Sequence, residues 1–67
     1  MSQIRLWAGW YENGQKSGEG TFKDGKENGL FIDWHENGQK AYEGTWKDGE
    51  LISSKYWDED GNDEESF

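Results

Sequence analysis

The chain has 67 residues and a formal net charge of −8, with 10 Gly, 5 Trp, no Pro and no Cys. That length admits one small domain. The missing cysteines exclude disulfides and thiolate metal sites, and no apolar run approaches the roughly 20 residues of a helical membrane span. The start, Met1-Ser2-Gln3-Ile4-Arg5, lacks the apolar core of a secretion signal. With the missing cysteines this points to a cytoplasmic protein.

Helix signals are weak, because glycine recurs and no apolar stripe keeps a 3.6-residue period over three turns. Alternation predicts strands instead. In chain order they fall at about 4–11, 15–23, 27–35, 39–47 and 50–57. Glu12-Asn13-Gly14, Lys23-Asp24-Gly25, Glu36-Asn37-Gly38 and Lys47-Asp48-Gly49 separate them, and Asn-Gly and Asp-Gly between alternating runs are hairpin signals.

The chain repeats itself. Trp10-Tyr11-Glu12-Asn13-Gly14-Gln15-Lys16 leads to Glu19-Gly20-Thr21-Phe22-Lys23-Asp24-Gly25. Trp34-His35-Glu36-Asn37-Gly38-Gln39-Lys40 leads to Glu43-Gly44-Thr45-Trp46-Lys47-Asp48-Gly49, without a gap, 24 residues later. A fixed period in this range marks a repeat architecture. A third, decayed copy begins at Trp57-Asp58-Glu59-Asp60-Gly61-Asn62; it keeps the turn and is read as losing the returning strand. The predicted fold is all-β, a single curved antiparallel meander of about five strands with no helix. Residues 1–57 form the sheet, with repeats at about 6–29 and 30–52 and a partial third from 53. Residues 58–67 form an acidic tail.

The apolar residues bear on the register. With two-residue loops, Trp10 falls beside Ser17, Glu19 and Thr21, and the apolar set splits over both faces. With three-residue loops and a left-handed Gly, one face collects Leu6, Ala8, Trp10, Gly18, Gly20, Phe22, Leu30, Ile32, Trp34, Tyr42, Gly44, Trp46, Ile52 and Tyr56. The second arrangement is preferred, since a one-residue slip reverses every side chain. Gly20 and Gly44 then lie mid-strand under large rings, and Trp10, Phe22, Trp34 and Trp46 read as a packing ladder. The opposite face carries Trp7, Tyr11, Phe31, His35 and Trp57 among polar residues. That mixture suits a protein-binding surface and equally suits rings that shield a twisted sheet.

The unit Trp-x-Glu-Asn-Gly-Gln-Lys followed by Glu-Gly-Thr-aromatic-Lys-Asp-Gly resembles the MORN repeat, in its bacterial variant centred on these turns. The resemblance covers about residues 6–57. It implies a meander of hairpins used as a binding or scaffold module. Bacterial proteins of this type often carry an antitoxin label, and some eukaryotic members are associated with membrane lipids, a role for which this chain lacks a basic surface.

Chemistry is sparse. One His, no Cys and no spaced Ser-His-Asp set exclude the usual nucleophilic machinery, and His35 reads as a solvent-facing strand end. Glu19 and Glu43 sit in equivalent strands with nothing to part their pKa values. Asp58-x-Asp60-x-Asn62-x-Glu64 has the spacing that opens a calcium loop but lacks its later Gly and Glu. No enzyme, metal or cofactor is expected. Asp58, Glu59, Asp60, Asp63, Glu64 and Glu65 carry six of the negative charges with no base among them. This argues against direct nucleic acid or anionic membrane as a partner. The expectation is a non-enzymatic interaction module, such as an inhibitor of a toxin or immune effector, that meets a protein partner or a second copy of itself. An acidic nucleic-acid mimic and a purely structural scaffold stand as alternatives.

Overall fold

The structure is a computed structural model that describes Gln3–Ser66, with the side chains of residues 64–66 outside the description. Seven strands form among the described residues: β1 Ile4–Trp10, β2 Lys16–Lys23, β3 Lys26–Glu27, β4 Gly29–Trp34, β5 Lys40–Lys47, β6 Glu50–Trp57 and β7 Asp63–Ser66. They make one open antiparallel sheet in the order β1-β2-β4-β5-β6-β7, with the short β3 also lying along β2. No helix occurs among them. The molecule measures 42 × 29 × 9 Å, so it is one layer thick. The segment expected to be a tail instead makes a third turn and a returning strand, since β7 pairs with β6 through Trp57↔Asp63 and Lys55↔Ser66.

Two turn types alternate. At one end of the sheet Tyr11 N–H donates to Gln15 O at 2.8 Å and Gly14 N–H to Tyr11 O at 3.0 Å. This closes the expected three-residue loop, with Gly14 at φ 88°. His35 and Gln39 repeat this closure, and so do Asp58 and Asn62. At the other end the expected three-residue Lys-Asp-Gly loops are not found. Lys23 pairs directly with Lys26, and Lys47 with Glu50. The loops are therefore Asp24-Gly25 and Asp48-Gly49, with both residues of each at positive φ. That is the two-residue turn whose twist matches a hairpin, and Asp tolerates its first position better than most residues do.

The register also departs from expectation. Bulges fall between Gly9 and Trp10, between Asp33 and Trp34 and between Thr45 and Trp46. Each shifts one strand by a residue and so reverses its faces. The expected single apolar face therefore divides. Cross-strand neighbours put Trp7, Gly18, Gly20, Phe22, Phe31, Asp33, Tyr42, Gly44, Trp46 and Tyr56 on one side, the ring face. Leu6, Ala8, Trp10, Leu30, Ile32 and Trp34 lie on the other. The expected ladder keeps Phe22 and Trp46 and loses Trp10 and Trp34.

The reason for the strand glycines holds, with different rings. A Cβ built on Gly20 would collide with the Phe31 ring, one on Gly18 would lie 3.0 Å from Trp7, and one on Gly44 2.7 Å from Tyr42 Cζ. All three glycines are buried under these rings. Phe22 meets Phe31 edge-on at 5.4 Å between centroids, and Phe31 meets Trp46 at 6.1 Å. Tyr42 and Tyr56 lie 5.0 Å apart. Even so, no apolar side chain is buried among the described residues.

Candidate binding face

The repeated turn motif reaches from each repeat to the next. Tyr11 Oη donates to Trp34 O at 2.6 Å, and Asn13 Nδ2 donates to Glu36 O at 3.1 Å. One repeat later His35 Nε2 bonds Trp57 O at 2.9 Å, and Asn37 Nδ2 donates to Glu59 O at 2.8 Å. A carbonyl can only accept, so His35 Nε2 carries the hydrogen. Asn13 and Asn37 also hold their own turns, each accepting at 2.9 Å from the backbone N–H two residues on. Gln15 Oε1 lies where a Cβ on Gly38 would come within 2.9 Å, and Gln39 Oε1 stands in the same relation to Gly61 at 2.8 Å. Lys16 Nζ lies 6.0 Å from the centre of the Trp34 ring, and Lys40 Nζ 5.6 Å from that of Trp57. Tyr or His, Asn, Gln and Lys are thus four hands laid on the following turn.

The third turn has no such hands. Asp58 and Asp60 stand where Tyr11 and Asn13 stand in the first, and a carboxylate cannot donate. Asp58 turns inward: its Oδ1 accepts from Asp60 N–H at 3.0 Å and from Asn62 N–H at 2.9 Å. The Asn62 backbone bond leads in holding its carboxyl below the usual range. The spacing that suggested a calcium loop is this turn cap, and no group of acids or histidines suited to a metal occurs among the described residues.

The surface opposite the ring face is grooved. A shallow hollow of about 330 Å³ is lined by Leu6, Ala8, Lys16, Glu19, Thr21 and Leu30. Two further hollows repeat at the turns. One, of about 270 Å³, lies among Gln15, Lys16, Trp34 and Gly38; the other, of about 350 Å³, lies among Gln39, Lys40, Trp57 and Gly61. Lys16 pairs with Glu19 at 2.9 Å and Lys40 with Glu43 at 3.0 Å. These exposed pairs contribute at most about 1 kcal/mol each. Beyond the first pair, on the edge strand β1, stand Leu6, 83% exposed, and Trp10, 62% exposed.

The residues expected to share a binding face do not share one. Trp7 and Phe31 lie on the ring face, over glycines. Trp57 lies on the grooved face beneath Lys40 and Lys55. Tyr11 and His35 are half-buried stitches between turns rather than solvent-facing strand ends. Asp58, Glu59 and Asp60 form the third turn, and Asp63 starts β7, 3.5 Å from Lys55 Nζ. Glu64 and Glu65 belong to β7, but their side chains lie outside the described residues. Sequence reasoning put Leu6, Trp10 and Leu30 on one face but named neither them nor Lys16 as binding residues. The signal was available: Lys16 and Lys40 each follow the glycine of an Asn-Gly turn by two residues, and a Trp opens the repeat that comes next.

On the ring face Asp33 Oδ1 and the Trp7 ring both lie over Gly18. Asp33 is exposed as a residue, yet its carboxyl is sheltered on that side, and the desolvation holds it above the usual carboxylate range.

The family model described as the MORN repeat variant matches residues 6–24 and 27–48, more than half of the chain. Neither the curated proteins nor the solved structures yielded a match.

Proposed function

Because the chain belongs to the MORN repeat variant family, a repeat used for interaction or structure, we propose that it is a non-enzymatic protein-interaction module working through its grooved face. The single observation behind this is apolar exposure without a core. Ile4, Leu6, Trp10 and Leu30 are all exposed on that one face, where a monomer's surface rarely leaves a contiguous apolar patch without use. The ring face spends its aromatics on covering glycines. The grooved face keeps Trp and Leu beside ion pairs, which is the mixture of anchor and polar rim found at protein interfaces. The family is not one known for catalysis, and its match names no target, so an antitoxin role does not follow from it.

The acidic third turn adds charge steering at one end. The nucleic-acid mimic fits less well. Such a mimic needs carboxylates spaced along a surface, whereas Glu19 and Glu43 are each paired with a lysine.

The test is capture of a partner from host lysate by the natural chain, by Leu6→Glu/Leu30→Glu on the grooved face, and by Tyr56→Glu on the ring face. The expected result is loss of the partner with the first variant alone, little changed by salt. Loss of the partner as salt rises, with Leu6→Glu/Leu30→Glu still binding, supports the mimic instead.

A further inference from the structure

The two edges of the sheet are unlike. β7 carries Asp63, Glu64 and Glu65 and follows an acidic turn. β1 carries Arg5 as its one charge, and none of the usual edge protections occurs in Ile4–Trp10: no Pro, no inward charge, no covering loop among the described residues. Ile4, Leu6, Trp7 and Trp10 are 58%, 83%, 48% and 62% exposed.

The direction of β1's free backbone groups follows from its pairing. Gln3 O accepts from Asp24 N–H, and Tyr11 N–H donates to Gln15 O, so odd-numbered residues face β2. Ile4, Leu6, Ala8 and Trp10 therefore point their N–H and C=O groups away from the sheet. Trp34 and Glu36 show what such groups take in the next repeat, where their carbonyls accept from Tyr11 and Asn13. Trp10 O and Glu12 O are the equivalent acceptors of the first turn, and no hydrogen bond reaches them among the described residues.

We propose that the β1 edge pairs with the β1 edge of a second copy, antiparallel about a two-fold axis at Trp7. The alternative, head-to-tail addition of β1 onto β7, sets Trp10 O and Glu12 O against the Asp58 and Asp60 carboxylates, acceptor against acceptor. The acidic edge repels another of its kind. Only β1 is self-complementary, and an isologous contact of this kind closes at two copies.

The register is fixed by the outward groups. With the axis at Trp7, Ile4 faces Trp10 of the second copy and Leu6 faces Ala8, so all four outward residues are hydrogen-bonded. Trp7 faces Trp7 in the closer, non-hydrogen-bonded pair, where aromatic pairs are favourable. Arg5 faces Gly9, which has no side chain, and the two arginines stay apart. The contact runs along a single seven-residue strand, which puts it at the small end of interfaces, below about 1,200 Å². The dimer is accordingly expected to depend on concentration. It does not involve the grooves at Trp34 and Trp57. Leu6 lies in both the face and the edge, so Leu30→Glu alone, on β4, is the face variant that loses a partner and leaves the dimer in place.

Sedimentation of the full chain across a concentration series tests this, together with Leu6→Pro. That substitution removes an outward N–H and no bond to β2, so β1 keeps its place in the sheet. The expected result is twice the 7.8 kDa chain mass at high concentration, and a folded monomer for Leu6→Pro. Hydrogen exchange is to show slowed amides at Leu6 and Ala8 in the dimer alone. The chain has no cysteine, so Trp7→Cys is to cross-link to itself under mild oxidation while Leu6→Cys does not. A monomer throughout the series overturns the proposal. So does a dimer that Leu6→Pro leaves intact, or an assembly that grows past two.

Discussion

At the residue scale, two positions decide local stability by what stands above or beside them. Gly20 has a Phe31 ring where its Cβ would go. Gly20→Ala is expected to displace that ring and its edge contact with Phe22, costing about 1–3 kcal/mol as overpacking does, read by urea denaturation. Ser54 is the converse. It stands where Trp7 and Phe31 stand in the first two repeats, is 4% exposed, and its Oγ has no hydrogen-bond partner among the described residues. An unpaired buried hydroxyl is a cost, so Ser54→Ala is expected to leave stability unchanged or raise it by about 1 kcal/mol. A loss of more than that would mean an unseen partner for the hydroxyl.

Two carboxylates titrate in opposite senses. Asp58 lies below its ordinary value, so its contribution is present above the unfolded pKa and is lost as pH falls through the lowered folded one. Asp33 lies above its ordinary value. Its charged form costs the fold at neutral pH, and this cost is relieved as pH falls through the raised folded pKa. Asp33→Asn is therefore expected to stabilise the fold at neutral pH, with the advantage fading in acid. Carboxyl NMR titration should place Asp33 above and Asp58 below the other aspartates; the reverse order contradicts both assignments.

At the element scale the repeat is a stitch, and its strength can be tested one stitch at a time. Tyr11→Phe removes one donor to Trp34 O, and Asn37→Ala removes both the donor to Glu59 O and the acceptor for Gln39 N–H. The expected costs are about 0.5–1.5 kcal/mol for the first and roughly twice that for the second. His35→Phe should resemble Tyr11→Phe, because His35 holds the same place one repeat on. Equal stability of all three variants and the natural chain would make the inter-turn bonds incidental. The period, the turns and the glycine–ring device were legible in the chain because each depends on residues close in sequence. The register was not. Both faces carry Leu and Trp, so apolar counting could not detect the one-residue bulges before Trp10 and Trp34, and each bulge exchanges the faces. The better signal was glycine: Gly9, Gly18, Gly20 and Gly44 need rings beside them, and Trp7 and Phe31 are in phase with them where Trp10 and Trp34 are not. The third turn was read as solvated charge because its acids were weighed as charge, although Asp58 is also a turn-capping residue.

At the scale of the whole molecule, a sheet 9 Å thick has no interior. Its accessible surface is 4936 Å², where a globular chain of 7.8 kDa shows about 4,400 Å². Cohesion must therefore come from the hydrogen-bonded ladder, the rings over glycine and the stitches between turns, more than from apolar burial. The heat capacity change of unfolding reports that balance, because exposing apolar surface raises it and exposing backbone lowers it. An ordinary domain of this length gives about 0.8–1.0 kcal/mol/K. The dilute chain is expected to fall clearly below that range by calorimetry. Should the value enter the range only at concentrations where two copies associate, the second copy supplies the missing burial. An ordinary value in the dilute chain would mean that the faces close on themselves in solution, and neither the grooved face nor the β1 edge would then be free for a partner.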